Sequence, residues 1–208
     1  MARIRPMGSR DLHEVARLHR AMGSSLWGSL GPRFVSRVYE ALLDHTDFLG
    51  FVYEEEGRVR GFIAGTSHGT RMFRQTALRH GPSLALATVV ALASRPRALL
   101  PLLETAAYFR RSAPSSAGER IHAESLFCSF DGGIKARRAA GLINKVLFDT
   151  LARQGHHQVK ITTEASNPFA ARQLLSWGFV VLGRFEFYGK AMILWRLDLD
   201  YCERVSSS

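Results

Sequence analysis

The stretch from Arg120 to Phe179 constrains the fold most, because it presents strand and helix signals in a fixed order. An apolar strand over 122–130 precedes a short turn, and a basic segment then leads into a helix that ends near Gly155. A second strand follows over 158–163, before another helix. This order predicts a βαβ-like unit. Backbone amides at its loop-to-helix junction, together with the helix dipole, form a site suited to an anion.

The composition limits the class of protein. With 208 residues, the chain is long enough for one domain with a proper core, or for one domain carrying an insertion. A hydrophobic fraction of 46% and a charged fraction of 22% are typical of a soluble globular protein and argue against disorder. The formal charge of +10 favours an anionic partner, and it leaves nucleic acid, a membrane surface and a phosphate-bearing cofactor open.

The cysteines and the N-terminus bear on the compartment. Cys128 and Cys202 are the two cysteines and lie far apart, which argues against a disulfide scaffold or a metal-ligand cluster and fits a reducing cytoplasm. His156 and His157 are adjacent and point to different sides, so we expect no metal there. The first twelve residues contain no apolar signal region, so we expect no export signal and a cytoplasmic location.

Periodicity predicts a strand, two helices and an antiparallel hairpin before the central unit. The first strand covers 2–7 and the first helix 12–22, and a loop over 23–29 precedes a helix that Gly31-Pro32 opens. The hairpin joins strands 47–54 and 58–66. Gly61 inside its second strand marks a bulge or a close backbone approach. The second helix is expected to bury one apolar face, formed by Phe34, Val35, Val38, Leu42 and Leu43.

Residues 67–119 read as a helical insertion punctuated by Gly81-Pro82. From Ser67 to Arg120 there are eight arginines against two glutamates, which supply six of the ten net positive charges. Residues 84–93 are apolar on all sides, so we expect them to be buried on all sides. They are about half the ~20 residues that a spanning helix needs. A buried helical hairpin, a homodimer contact and a membrane-surface patch all stay open for this insertion.

The chain closes with a second hairpin. Strands are predicted over 180–188 and 191–199, on either side of Gly189. Together these elements predict one domain over residues 1–208, with the insertion inside it.

The order of elements and two segments resemble the GNAT N-acetyltransferase superfamily. The segments are AESLFCSFDGGIKARRAAGLINKVLFDTLARQG (123–155) and ITTEASNPFAARQLLSWGF (161–179). The resemblance covers 2–66 and 120–200 as architecture and 123–179 as motif. It implies an α/β fold with a central mixed sheet flanked by helices and a helical insertion between strands 3 and 4. It also implies acetyl-CoA as co-substrate and no metal.

The family's phosphate loop reads Arg or Gln, two residues, Gly, one residue, Gly or Ala, and it holds the pyrophosphate of acetyl-CoA. Aligned without gaps, Lys135 takes the first position, Arg138 the first glycine and Ala140 the last. A second register begins at Arg138 and matches Gly141, but it puts Ile143 where a small residue is wanted. The alternative to phosphate binding is that Lys135, Arg137 and Arg138 form a solvated basic turn. The resemblance implies these cofactor-binding residues: Phe130, Lys135, Ala136, Arg137, Arg138, Ala139 and Ala140.

The second segment carries the family's Asn, Ala and Gly-Phe. Asn167 and Ala170 correspond to positions on the cofactor side of the site. The family's tyrosine, which protonates the leaving thiolate, is replaced here by Leu174. Tyr188 is a candidate substitute general acid, although it also fits a half-buried strand tyrosine.

Glu124 is the candidate general base. The sequence AESLFC resembles the central strand of the histone acetyltransferase branch, where a glutamate at this place takes the proton from the amine. A glutamate in an apolar strand would have a raised pKa, which suits this role. Alternatively, Glu124 lies on an open strand face or pairs with an arginine. A backbone N–H near Ser129 or Phe130 would polarise the thioester carbonyl, and Cys128 reads as a small buried apolar residue.

The expected function is direct transfer of acetyl from acetyl-CoA to a primary amine of a small molecule. The basic insertion favours an anionic acceptor, such as an amino sugar. The alternative is a GNAT-fold protein that binds acyl-CoA or another anion without transferring the acyl group. We expect no nucleic-acid partner, because the insertion holds few aromatic residues for stacking. The resemblance implies that Ser24, Ser25, Trp27, Tyr188 and Lys190 line the acceptor site.

Overall fold

The structure is a computed structural model that describes residues 2–22, 26–94, 121–131, 136–187 and 189–199. In these ranges the chain forms seven strands and six α-helices. The strands are β1 (Ala2–Pro6), β2 (Phe48–Glu55), β3 (Arg58–Thr66), β4 (Glu124–Phe130), β5 (Gln158–Glu164), β6 (Val180–Phe187) and β7 (Lys190–Asp198). The helices are α1 (Leu12–Ala21), α2 (Leu26–Ser29), α3 (Pro32–Leu43), α4 (Gly69–Ser94), α5 (Ala136–Arg153) and α6 (Pro168–Ser176).

The strands form one mixed sheet in the order β1-β2-β3-β4-β5-β7-β6. Every neighbouring pair is antiparallel except β4 and β5, which are parallel and are joined by α5. Because α4 separates β3 from β4 in the chain, the predicted helical insertion between the third and fourth strands is confirmed. The predicted α/β class with a central mixed sheet flanked by helices is confirmed as well.

One face of the sheet, here called the α1 face, is covered by α1, α3 and the first part of α4. Its core joins residues of these helices to β2 and β3, for example Val15, Val35, Tyr39, Phe62 and Met72. The apolar positions that recur every three or four residues in α1 and α3 are the buried ones, as the periodicity predicted.

The opposite face, here called the α5 face, is covered mainly by α5. Ile143, Leu147 and Leu151 are fully buried on one side of this helix, and they pack with Ile63 of β3 and Val159 of β5. The α5-face core therefore reaches across the sheet from β3 to β5 and on to β7.

Gly61 of β3 allows a ring to lie directly on the sheet. A Cβ at this position would be 2.2 Å from Cδ1 of Phe130, which is far inside van der Waals contact. The pairing of β2 with β3 also shifts beside it, since Tyr53 faces Gly61 and Glu54 faces Val59. Both features expected of a glycine inside a strand, a bulge and a close approach, are therefore present.

α4 differs from the prediction in two ways. It runs without interruption through Pro82, where a break was expected. Packing of Met72 before the proline and Leu84 after it on the α1-face core compensates for the hydrogen bond that proline cannot donate. The second half of α4 is also not buried on all sides, because Leu86 and Val89 are 66% and 63% exposed. The rest of the predicted insertion, residues 95–119, lies outside the described residues.

The loop expected over 23–29 is partly helical. Residues 26–29 form the short helix α2, because Trp27 packs against the α1-face core and fixes this turn. Among the described residues, no helix combines the length and the apolar character needed to cross a membrane.

Candidate active site

The parallel strands β4 and β5 separate after two residue pairs. Glu124 pairs with Lys160 and Ser125 with Ile161, and the remaining residues of these strands are not paired with each other. The edge of β4 that faces β5 therefore leaves backbone N–H and C=O groups of residues 126–130 without a strand partner in the described parts of the chain. The carboxyl ends of both strands lie beside the resulting gap, which is where ligands bind in open α/β sheets.

A β-bulge at Leu126 coincides with the start of this gap. Ala64 pairs with Phe127 while Gly65 pairs with Ser125, so Leu126 has no opposite residue in β3. A bulge bends a strand and re-aims the residues beside it. As a result, two consecutive residues of β4, Leu126 and Phe127, pack on the α1-face core.

Glu124 lies at the closed end of the gap. Its side chain is 18% exposed, and Oε2 is 3.8 Å from Nζ of Lys160. Burial raises the pKa of Glu124, and the nearby positive charge of Lys160 opposes that rise. The expected desolvation of Glu124 is thus confirmed, but its charged neighbour is a lysine instead of the arginine considered from the sequence.

Residue pairing places three charged side chains in one row across the sheet. Glu124 pairs with Lys160, and Lys160 pairs with Arg196 of β7. Val159 and Ile161 belong to the α5-face core, so Lys160 between them points to the opposite face. The same alternation in β7 places Arg196 on that opposite face.

Two polar atoms on this face are unsatisfied. Oγ1 of Thr162 and Nε of Arg196 are buried, and neither has a hydrogen-bond partner among the described residues. Buried polar groups normally have partners, so each such atom is a candidate ligand contact. The sequence signal for this row is the charged or polar residue at alternate positions of otherwise apolar strands.

Two histidines adjoin Glu124. The rings of His68 and His122 stack with centroids 4.2 Å apart, and the Gly69 amide donates to the His122 carbonyl at 3.3 Å. These contacts join the beginning of α4 to the chain entering β4, so both histidines have a structural role here.

Two helix N-termini follow the separated strands. α5 begins after β4 and α6 begins after β5. The first amides of a helix have no partner within it, and together with the helix dipole they attract anions. Asn167 caps α6, since its Oδ1 accepts a hydrogen bond from the Ala170 amide at 3.0 Å. This cap explains the Asn and Ala spacing by local structure.

The beginning of α5 favours the phosphate-loop register that starts at Lys135. In the first turn of α5 the amides of residues 136–138 have no acceptor within the helix, whereas the amide of residue 139 and those after it donate to helix carbonyls. The register starting at Arg138 would put most of the motif in the bonded part. Lys135 and the side chains of Ala136 and Arg137 lie outside the described residues. Arg138 is exposed, Ala139 is buried, and the Ala140 carbonyl accepts from Nδ2 of Asn144 at 2.9 Å.

The end of β4 is fixed from both faces. The Phe130 ring packs on Gly61 at the α5 face, so a contact from Phe130 to a ligand in the gap would come from its backbone. Oγ of Ser129 donates to the carbonyl of Leu18 at 3.0 Å and ties β4 to α1.

The remaining predicted residues are spread over different elements. Ser24, Ser25 and Tyr188 lie outside the described residues. Trp27 stands in an aromatic cluster on the α1 face, and Lys190 pairs with Glu164 at 2.7 Å at the end of β5. Leu174 is 5% exposed and packs in the α5-face core, so this position provides no general acid.

His19 lies on the buried face of α1. The structure buries it between Trp27, Phe62 and Phe127, with Nδ1 2.9 Å from the Tyr39 hydroxyl. Burial lowers the pKa of His19 to about 4 and raises that of Tyr39, so both side chains are neutral near pH 7. Phe127 adjoins the bulge at Leu126, so this aromatic cluster packs against β4 on the α1 face.

Cys128 is partly buried on the α5 face, where its Sγ is 3.6 Å from Nδ2 of Asn144. Burial raises the pKa of the Cys128 thiol to about 12, which is consistent with the inert role predicted for it. In the parts of the chain that the structure describes, no three His, Cys, Asp or Glu side chains converge as a metal site would require.

Comparison by sequence gives no match, neither to a family profile nor to a curated protein. Comparison by structure gives several. The ribosomal-protein-S18-alanine N-acetyltransferase of Escherichia coli aligns with a TM-score of 0.60 at 12% identity, over 96% of this chain and 94% of that chain. The protein yncA of Salmonella typhimurium, in a structure with its cofactor acetyl-CoA, aligns with a TM-score of 0.61 at 17% identity, over 96% and 95%.

A GNAT-family acetyltransferase of Streptococcus pneumoniae aligns with a TM-score of 0.58 at 11% identity, over 95% of this chain and 99% of that chain. The alignments cover nearly all of both chains in each case. The mixed sheet, its parallel pair and the helices on its two faces are thus those of known acetyltransferases. The chain has the fold of the GNAT superfamily.

Proposed function

We propose that this chain is an acyl-CoA-dependent N-acetyltransferase, which moves an acetyl group from acetyl-CoA directly to a primary amine of a small-molecule acceptor. The observation that carries the proposal is the gap between β4 and β5, with the buried carboxyl of Glu124 at its closed end. A gap of this kind offers an unpaired backbone edge, two helix N-termini and a desolvated base within one site.

The chemistry of acetyl-CoA suits this gap. Its pantetheine arm is an extended chain with amide groups, which can pair with the free edge of β4 at residues 126–130 as an added strand would. Its pyrophosphate suits the N-terminal turn of α5, where the amides of residues 136–138 have no acceptor within the helix and Arg138 adds a positive charge. Acetyl-CoA itself supplies the activated acetyl group as a thioester.

Glu124 is proposed as the base that takes the proton from the acceptor's ammonium group. Burial raises the pKa of Glu124, which brings the carboxylate closer to the working range of a base near neutral pH. Lys160 limits that rise, so the carboxylate form stays accessible. Tyr188 is proposed as the group that returns a proton to the leaving thiolate.

The acceptor is proposed to carry an anionic group near its amine, as the phosphate of an amino sugar nucleotide would. Lys160 and Arg196 follow Glu124 in one row on the same face. Nε of Arg196 and Oγ1 of Thr162 are buried without a partner among the described residues, so they are available to bind oxygen atoms of the acceptor. A guanidinium is well suited to phosphate or carboxylate oxygens.

Calorimetric titration with acetyl-CoA, and with CoA as a control, tests the cofactor first. Thiol release would then be followed over a panel that contains amino sugar phosphates, a polyamine and a basic peptide. We expect turnover with an anionic amine and a large loss of kcat in Glu124→Gln, while the exposed Glu40→Gln on α3 keeps wild-type rates. Turnover confined to the polyamine or the peptide would refute the anionic acceptor, and an active Glu124→Gln would refute the assigned base.

A second candidate function is binding of acyl-CoA without transfer. It is favoured by Leu174, which puts a core side chain where the family has its general acid, and by Arg138 at the glycine position of the phosphate loop. Saturable binding of acetyl-CoA without thiol release, across the whole amine panel, would select this function.

A further inference from the structure

A second concave surface lies at the β1 edge of the sheet and extends to Asp131, just after the end of β4. This cleft has a volume of about 670 Å³ and is bounded by β1, the first turns of α1 and the hairpin between β2 and β3. We call it the arginine cleft, because six arginines line it: Arg3, Arg5, Arg10, Arg17, Arg58 and Arg60. Four carboxylates also line it, so the arginines exceed the acids by two.

Two of these carboxylates, Asp11 and Glu54, form ion pairs with arginines of β1. Nη1 of Arg5 is 2.7 Å from Oδ2 of Asp11, and its Nη2 is 2.8 Å from Glu54. Arg3 also binds Glu54 at 2.7 Å. Asp11 additionally accepts from the Gly8 amide, which fixes the wall of the cleft at the beginning of α1.

The other two carboxylates, Glu14 and Asp131, form ion pairs with Arg17 and Arg60. Asp131 is 3.2 Å from Nη1 of Arg60 and 3.5 Å from Nη2 of Arg17. Glu14 binds Arg17 at 2.8 Å. All four carboxylates of the cleft therefore already have arginine partners.

Two arginine side chains and one further guanidinium nitrogen remain without a partner among the described residues. Arg58 and Arg10 are exposed and form no ion pair with any described residue. Nε of Arg60 is buried and has no hydrogen-bond acceptor among the described residues. A buried guanidinium N–H without an acceptor is costly, and a bound anion would satisfy it.

We propose that the arginine cleft is a binding site for a small phosphate-bearing ligand, separate from the acetyl-CoA site. A phosphate or pyrophosphate group carries about two negative charges, which matches the excess of two arginines, and its several oxygens can accept from forked guanidinium groups on different walls. The volume suits a small molecule. The site would account for part of the basic charge that the acetyl-CoA site leaves unexplained.

Inorganic pyrophosphate is the probe for the test, titrated by calorimetry at fixed ionic strength. The test variant is Arg10→Gln/Arg58→Gln, which removes the two unpaired cations and breaks no ion pair. We expect at least about a tenfold loss of pyrophosphate affinity, because charge-assisted hydrogen bonds are lost. A charge-preserving Arg10→Lys/Arg58→Lys variant should retain more of the affinity than the glutamine variant.

Two single variants separate the cleft from general surface charge and from the phosphate loop. Arg37→Gln removes an exposed arginine of α3 that pairs with Glu40 outside the cleft, and this variant should keep pyrophosphate affinity within about twofold of wild type. Arg138→Gln removes an arginine of the proposed phosphate loop, so a loss of pyrophosphate affinity as large as that of the cleft double variant would assign the binding to the loop and refute the cleft. An equal loss in Arg37→Gln, unchanged binding in the cleft double variant, or no binding by the wild type at millimolar pyrophosphate would overturn the proposal.

The same double variant should bind acetyl-CoA as the wild type does. A parallel loss of acetyl-CoA affinity would mean that the cleft belongs to the cofactor's site, and the separate site would be refuted. The pyrophosphate titration does not depend on the proposed acetyltransferase activity, so failure of either proposal can be recognised without the other.

Discussion

Glu124 and Lys160 stand opposite each other in the first of the two residue pairs that join β4 and β5, with Oε2 and Nζ 3.8 Å apart. The two residues act on the same pKa in opposite directions, since burial raises the pKa of Glu124 and the lysine charge lowers it. The position of the acid limb in a pH–rate profile should therefore report this pair directly.

Glu124→Gln is expected to lower kcat/KM by about 10²–10⁴-fold, which is the usual contribution of a general base. In the wild type the rate should fall as pH drops through the raised pKa of Glu124, because the protonated carboxyl cannot accept a proton. The acid limb should disappear from the residual activity of the variant. A wild-type profile without an acid limb above the ordinary range of a glutamate would contradict this assignment.

Lys160→Met should move that acid limb to higher pH. Removing the positive charge takes away the influence that opposes burial, so the pKa of Glu124 rises further. Lys160→Arg keeps the charge and should keep the profile close to wild type. A shift to lower pH in Lys160→Met, measured under the same conditions, would show that Lys160 does not act on Glu124 in this way.

Gly61→Ala should destabilise the protein by about 1–3 kcal/mol, because the new methyl group would overlap the Phe130 ring. Phe130→Leu in the same chain should recover part of this loss in urea unfolding. Gly141→Ala is a matched control on α5, where a Cβ meets nothing within 4 Å. That control should stabilise by about 0.5–1 kcal/mol, since alanine is the better helix former.

His19 should make stability depend on pH. Its pKa is lowered from 6.5 to about 4, so between these values the unfolded chain binds a proton that the folded chain excludes. The free energy of unfolding should fall by about 3 kcal/mol as pH drops through this window and should level off below it. His19→Gln should flatten the curve between pH 6.5 and 5, where few carboxylates titrate.

The exposed His13 on the same helix provides the comparison for that curve. His13→Gln should leave the slope unchanged, because its ring is already in solvent. An equally flat curve in His13→Gln, or an unaltered slope in His19→Gln, would show that burial of His19 is not the cause.

Leu86→Lys/Val89→Lys should leave the free energy of unfolding within about 0.5 kcal/mol of wild type, since both side chains are mostly exposed on α4. Met72→Lys, in the buried half of the helix, should cost more than about 4 kcal/mol because it buries an unpaired charge. A comparable loss in the double variant would show that this part of α4 is covered in solution. Light scattering of both proteins would then tell whether a second copy covers it.

The helices and strands can be predicted from local periodicity, whereas the candidate site depends on the register between paired strands. The helix faces of α3 and α5 and the two hairpins were readable from 3.6- and 2-residue repeats and from turn residues. The row formed by Glu124, Lys160 and Arg196 was not, because it requires knowing which residues of β4, β5 and β7 are opposite one another. The bulge at Leu126 also leaves no local signal in an apolar strand.

The errors came from tertiary packing that overrides local preference. Pro82 lies inside a helix because contacts on both sides hold that helix on the core. Residues 84–93 are apolar all round and are therefore predicted to be buried, yet periodicity does not tell whether a second surface is present to cover them. The burial of His19 among aromatic rings follows from α2, β3 and β4 meeting there, which helix periodicity alone does not show.

The early separation of β4 from β5 also has a consequence for how the protein opens. Strands β1–β4 and β5–β7 exchange backbone hydrogen bonds with each other at only two residue pairs in the described structure, and their main shared attachment is the α5-face core. In native-state hydrogen exchange, the amides of β5 and β7 should therefore open as a cooperative unit of lower free energy than those of β2 and β3. A ligand that pairs with the free edge of β4 would bridge both units, so saturation should bring their opening free energies together.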